Sequence, residues 1–587
     1  MKKAITLFVV SLLAGQAMAK DDFDFSAKCS SGQTLYYKIT SNTEPYSVMV
    51  TYPKYKMDDS HDFYYYYKYD EPKGDLIIPG TVTYKGKTYS VSSIRNNTFY
   101  YCDGLKSVTI PQSVKSIGSS AFCRCYNLTT VNIPNSVTGL GPFLFYNCSR
   151  LTSLTIPDGV TSIGESAFEG CGSLTFINIP GSVTSIGDKA FLYCSGLAEI
   201  NVADGNKYYA SDEGVLFDKG KTGVICCPAS KKGSYSIPNS TKSINDRAFC
   251  DCSGLVEVSI PNSVISIGDE AFYKCTGMTS VTLGNSVTSI GREAFRNSGL
   301  TSVTIPNSIT NIGDFAFAEC ERLKSVVIPN SITNISNHLF YSSGLVSVTI
   351  PNSVTTIGNA AFKNFTKLTT VIIPNSVTII GDEAFSGSGL TNVTIPNSVT
   401  TISWCAFCDC SYLWSVTIPN SVTTIGWYAF QQCSNLEVIN IPNSVTEIGQ
   451  SAFWHCERLK SITIPNSVTT MGDNVFSGCS SLTIHCDVSS KPDGWDEYWN
   501  SSDCPVVWAK ETAVAETEAS AVKIYASGNT IVVENAREEI IVYDAMGRLA
   551  GRDVAHNVST INVDKSGIYI VKTGGTVKRV MINQFGN

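Results

Sequence analysis

Beyond its first twenty residues the sequence has no long apolar run, nowhere a basic cluster, and only five histidines in 587 residues. No later segment approaches the ~20 consecutive apolar residues that a bilayer-spanning helix requires. Charged residues make up only 16% and the net charge is −7 without a basic stripe, so nucleic acid is not an expected partner. His61, His338, His455, His485 and His556 are scattered, with no nucleophile, metal-ligand spacing or paired carboxylates beside them. No catalytic, cofactor-binding or metal-ligating residue is therefore assigned, no cofactor is implied, and the chain does not read as an enzyme.

The chain is instead full of one phrase, Ile-Pro-Asn-Ser-Val followed by Ile-Gly, Ala-Phe and Cys, as in LVEVSIPNSVISIGDEAFYKC from Leu255. It recurs about every 22–23 residues, about sixteen times. A fixed period of this size predicts a solenoid, because one unit cannot bury its own apolar face and must stack on its neighbours. Contacts then run between adjacent repeats, and distant side chains rarely converge into a site.

Within a repeat, Leu-x-x-Val-x-Ile alternates as a short strand does, and the proline ends it by lacking an N–H. Pro-Asn-Ser turns the chain. Val-Thr-x-Ile-Gly is a second extended piece. Asp188, Asp246, Asp269, Asp314, Asp382 and Asp473 stand where an N-cap would, each before a short helical Ala-Phe turn. The phenylalanines of that turn, from Phe99 to Phe476, form an internal spine. At strand spacing the repeats predict a parallel sheet on the order of 80 Å long.

The motif Leu-x-x-Val-x-Ile-Pro-x-Ser-Val-x-x-Ile-Gly-x-x-Ala-Phe-x-x-Cys, nearly complete over Leu255–Cys275 and Leu413–Cys433, resembles the BspA-like leucine-rich repeats. The resemblance covers about Ile94 to Cys486. It implies a leucine-rich repeat solenoid and a secreted or surface protein, several members of the family being adhesin-like, and it supplies no catalytic residues.

Outward strand positions would form any binding face, and Thr282, Thr304, Thr349, Thr394, Thr417 and Thr463 occupy one column of it. Such rows of hydroxyls suit a protein or glycan surface, an ordered lattice such as ice, or a plain solvated sheet of good β-formers. One repeat is interrupted at about residues 205–235. Two short apolar runs flank a turn there and read as a projecting hairpin with Phe217, Asp218, Lys219 and Lys221 at its tip, either a binding element or a spacer.

Twenty-one cysteines in an exported chain invite disulfides. Twelve, however, stand three residues after a spine phenylalanine, and at Ser298, Ser343 and Ser388 the cysteine and one loop residue vanish together. That coupling marks small buried packing residues. Cys405, Cys408 and Cys410 are dense enough to suggest a metal but have no second ligand pair. Cys486 and Cys504 are placed to staple the end of the repeats, and the vicinal Cys226–Cys227 pair has no assignment.

The flanks complete the organisation. Residues 1–19 read as a secretory signal peptide, with two lysines, an apolar stretch and Ala-Met-Ala at the cleavage site. Residues 20–97 alternate as strands, with a hairpin at Lys85-Gly86-Lys87, and predict a β-rich cap; the run Tyr64–Tyr67 fits a half-buried strand or a stacking surface. The repeats occupy 98–486. The tryptophan-rich segment 487–508 reads as a second cap, with Trp495 and Trp499 as alternative sugar-stacking residues. Residues 509–519 read as a linker and 520–587 as a small β-sandwich. Tyr543-Asp-x-x-Gly and Gly567-Ile-Tyr-Ile-Val in that tail are similar to the C-terminal sorting domain of type IX secretion. That resemblance implies a bacterium of the Bacteroidota and export to the cell surface by the type IX machinery, with a plain Ig-like binding module as the rival. The expected fold is thus mainly β with short helical turns. The expected function is a secreted or cell-surface protein that binds extracellular macromolecules, with a glycan-binding protein or a structural surface spacer as alternatives.

Overall fold

In the computed structural model, residues 23–53, 56–57, 63–64, 71–509, 522–527, 530–536, 538–554, 558–563, 567–574 and 576–582 are described. The signal peptide, Tyr65–Tyr67, His61, His556 and residues 510–519 of the linker lie outside them. The chain divides into Met1–Ala509 and Lys510–Asn587.

The first unit is a β-solenoid of about eighteen turns. Most repeats add a short strand to each of two parallel faces, in register with the neighbouring repeat. In the first sheet Val258 pairs with Val281 and Thr394 with Thr417; in the second, Ile244 pairs with Ile267 and Ile425 with Ile448. Alternation buries Val258 and Ile260 and leaves Glu257 outside. In several repeats the serine before the valine of the turn ties two rungs together. Ser136, Ser182, Ser421 and Ser444 each donate a hydroxyl hydrogen to the valine carbonyl one rung earlier, at 2.5–2.7 Å. Glycine after the second strand is demanded by the close approach of rungs: a Cβ on Gly291 would lie 2.5 Å from the Gly268 carbonyl carbon.

The Ala-Phe segment differs from the helical turn expected of it, and no helix occurs among the described residues. Its amides alternate. Ala121, Cys123 and Cys125 donate three residues back, while Ser120, Phe122 and Arg124 donate to Pro142, Leu144 and Tyr146 in the next rung. Inter-rung bonding thus takes every second N–H that a helix would need. Ser120 and Arg124, with φ of 56° and 59°, turn the alternate amides outward. Three of the six aspartates expected as N-caps of their own turns cap the following rung instead: Asp246, Asp269 and Asp314 accept from the N–H of Asp269, Arg292 and Asn337.

The spine phenylalanines stack face to face at 4.8–5.9 Å in two runs, Phe99 to Phe191 and Phe249 to Phe476. The hydrophobic core divides at the same place, near Val215–Leu216. At the N-terminal end Phe25–Lys28, Thr34–Ser41 and Ser47–Thr51 continue the second sheet, and Thr81–Tyr84 pairs with Lys87–Ile94 across the Lys85–Gly86 turn. At the other end Trp495 and Trp499 are buried over the last rung.

The second unit holds a three-stranded and a four-stranded antiparallel sheet around Ile531, Val533, Ile540, Val542 and Val571. In its Tyr543-Asp-Ala-Met-Gly turn, the Asp544 carboxylate accepts from the N–H of Met546 and Arg548 and pairs with the Arg548 side chain.

Candidate functional site

The first sheet presents the predicted column. Thr282, Thr304, Thr349, Thr394, Thr417 and Thr463 are all exposed, and parallel pairing sets Thr304 beside Val327, Val327 beside Thr349, and Thr394 beside Thr417. Their hydroxyls make no hydrogen bond among the described residues. The threonines that stand just before the second-sheet strands behave differently: Thr161, Thr184, Thr378 and Thr423 each donate the hydroxyl hydrogen to a carbonyl one rung earlier. Two rows alike in sequence therefore differ in what they can offer a partner. The first-sheet column is interrupted by Val327, 67% exposed, and Ile372, 84% exposed. Apolar side chains this open, set among uncommitted hydroxyls, form a mixed contact surface rather than a uniformly polar one.

The hairpin residues do not converge as predicted. Phe217 is fully buried with Val215 and Leu216, so it belongs to the core and is corrected from tip to filling. Alternation places Phe217 inward once Tyr209–Asp212, Val215–Asp218 and Gly223–Cys226 form a meander inside the stack. Asp218 accepts from the Thr222 N–H and hydroxyl, and Lys221 pairs with Asp212 at 2.6 Å. Only Lys219 of the four is exposed, its ammonium reaching the Asp204 carbonyl at 3.4 Å.

The repeat cysteines form a ladder of buried thiols. Cys125, Cys148, Cys171 and Cys194 donate to the carbonyls of Phe99, Phe122, Phe145 and Phe168 one rung earlier, at 3.0–3.2 Å. Burial pushes the thiols of Cys125, Cys171, Cys275 and Cys433 well above the usual range. The staple expected between Cys486 and Cys504 is not made. Cys504 continues the thiol ladder, donating to the Cys479 carbonyl, whereas Cys486 lies in the first sheet opposite Trp508. The one disulfide among the described residues joins Cys405 to Cys408, leaving Cys410 in the ladder. No group of three metal-ligating side chains occurs among the described residues.

Trp495 and Trp499 are 2% and 5% exposed and therefore cannot stack a sugar. Sequence reasoning missed another pair, Trp404 and Trp427, which are 43% and 56% exposed on successive rungs, with Tyr428 edge-on to Trp404 at 6.5 Å. The signal was available: both tryptophans replace the aspartate that opens other turns.

The model of the BspA type leucine rich repeat region matches residues 89–212, 242–369 and 355–483, in six copies. A search of curated proteins finds no match. Among solved structures, a leucine-rich repeat protein from Bacteroides ovatus is 26% identical over 81% of this chain and 98% of its own, with a TM-score of 0.43. A leucine rich cell surface protein from Faecalibacterium prausnitzii is 28% identical over 56% and 95%, with a TM-score of 0.42. The pneumococcal vaccine antigen PcpA is 22% identical over 61% and 94%, with a TM-score of 0.47. With more than half of its length matched by that repeat model, the chain belongs to the BspA type leucine-rich repeat family.

Proposed function

We propose that this is a secreted, surface-associated protein that binds a macromolecular partner through the outer face of its first sheet. The observation that carries the reading is the column of exposed threonines with uncommitted hydroxyls, broken by the open Val327 and Ile372. A flat, extended surface of this kind fits a protein partner better than a small molecule, and nothing in the fold calls for catalysis. Secretion rests on the N-terminal signal. Surface delivery rests on the tail, which acts as a type IX sorting domain spanning 520–587 after the linker, with the repeats and their caps as the exported cargo. The decisive experiment is binding of the full chain to immobilised matrix proteins and glycans, beside Val327→Asp/Ile372→Asp. Saturable binding weakened at least tenfold by the double substitution supports the reading. Uniform absence of binding, with self-association in solution, replaces it with a structural spacer. Removal of residues 510–587 is expected to trap the chain inside the outer membrane; unchanged surface display rules out the sorting role.

A second reading, glycan binding, is favoured by the exposed Trp404–Trp427 pair, because aromatic faces stack on sugar rings. Oligosaccharide binding abolished by Trp404→Ala/Trp427→Ala, with protein binding retained, would select it.

A further inference from the structure

Between the rungs of Phe191 and Phe249 one element of the solenoid is missing. The insertion supplies a strand to each sheet, Gly223–Cys226 pairing with Ser243–Ile244 and Gly233–Ser236 with Leu255–Ser259. It returns from one to the other through Cys227-Pro228, without an Ala-Phe turn. Where that turn would lie there is a cavity of about 520 Å³. Ile186, Phe191, Tyr209, Cys226 and Arg247 contribute to its walls. Ile186 is half-buried there, whereas its equivalents Ile163 and Ile244 are 2% and 1% exposed.

The backbone facing the cavity is prepared for a chain that this protein does not provide. In the preceding rung Ser166, Phe168 and Gly170 donate their N–H groups to Asp188, Ala190 and Leu192. The equivalent N–H groups one rung on, those of Lys189 and Phe191 in the cavity wall and of Tyr193 beyond it, have no acceptor among the described residues. On the opposite side, the Asp246 carbonyl has no donor among the described residues, while Ala248 O, outside the lining, accepts from Cys227. At the C-terminal end of the solenoid the same problem is solved within the chain, since Asn474 N–H donates to Tyr498 O and Gly478 N–H to Ser502 Oγ. The insertion supplies no counterpart.

The charges select among occupants. Asp188 and Lys189 line one side and Asp246 and Arg247 the other, so the lining carries no net charge and does not favour an anion. Donors at alternate residues match the alternate carbonyls of a polypeptide, the recognition mode of strand addition to an open edge. We propose that this cavity is a peptide-binding site, in which an uncharged segment about five residues long from a partner protein takes the place of the absent turn, its alternate carbonyls accepting from Lys189 and Phe191. The site goes beyond the sheet-face reading and does not depend on it, since Thr282 and Ile372 are not part of its lining.

The test uses the full chain and an acetylated, amidated peptide copying residues 449–455, GQSAFWH, an uncharged turn from this solenoid at pH 8. Amide hydrogen exchange of residues 188–194 and alkylation of Cys226 are followed as peptide is added. Saturable slowing of both by at least tenfold, lost in Cys226→Phe or in the rim variant Arg247→Trp, is expected. Two substitutions keep the test informative where one fails to fold. The proposal is overturned if millimolar peptide leaves 188–194 exchanging as before, if both folded variants remain protected, or if acetate or phosphate alone gives the same protection, which would make it an anion site.

Discussion

A cysteine of the repeat ladder is a packing residue with a weak donor. Its sulfur fills the loop beneath the spine and its proton meets a phenylalanine carbonyl one rung earlier. Every free cysteine except Cys226 is buried. In the native protein, thiol reagents at pH 8 are therefore expected to modify Cys226 first and slowly, with the ladder thiols reacting only after denaturation. Rapid modification of several thiols without denaturant would contradict the ladder. His338 offers a second test at this scale. Its ring stacks on Phe315 at 4.2 Å, and burial lowers its pKa below the ordinary value. The unfolded chain then binds more protons than the folded one, so the contribution of this group is present above the unfolded pKa of about 6.5 and is lost as pH falls from there through the lower folded value. The melting temperature is expected to fall between pH 7.5 and 5, and His338→Phe is expected to flatten part of that fall. An identical pH profile in the variant would remove His338 from the account.

At the scale of the element, the rung is a closed circuit of backbone bonds, and the spine ring is its largest buried contribution. Phe272→Ala, inside the second run of stacked rings, is expected to cost about 3–5 kcal/mol, read from denaturant midpoints. A loss below 1 kcal/mol would mean the stack relaxes to fill the void. The strands and turns of the rung were legible in the sequence because Val-x-Ile alternation and Pro-Asn-Ser are local signals. The helical reading of Ala-Phe was not corrected by any local signal. Whether an amide donates three residues back or across to the next rung depends on the neighbouring rung being present, which no propensity records. The same holds for Asp246, Asp269 and Asp314, whose acceptor oxygens serve the rung above.

At the scale of the whole molecule, the spine and the core are interrupted once, at the insertion. Stability in a solenoid is a sum of rungs and their interfaces, so a weak interface separates cooperative blocks. Thermal unfolding followed by hydrogen exchange is expected to show residues before about 200 and after about 215 losing protection in separate steps. Coincident loss in both blocks would show that the meander couples them as firmly as a regular rung.

The period of the repeat, read from the sequence, was enough to establish a parallel solenoid, its inward and outward columns and the burial of its cysteines, because each follows from one residue's position within one unit. Three-dimensional stacking was needed for the rest. It turned Phe217 inward, set Trp495 and Trp499 over the last rung, tied the threonines before the second-sheet strands to carbonyls while leaving the outer row of the first sheet free, and opened a cavity where one turn is omitted. These outcomes depend on what the adjacent rung supplies, and that is a property of contact between units rather than of any unit's own sequence.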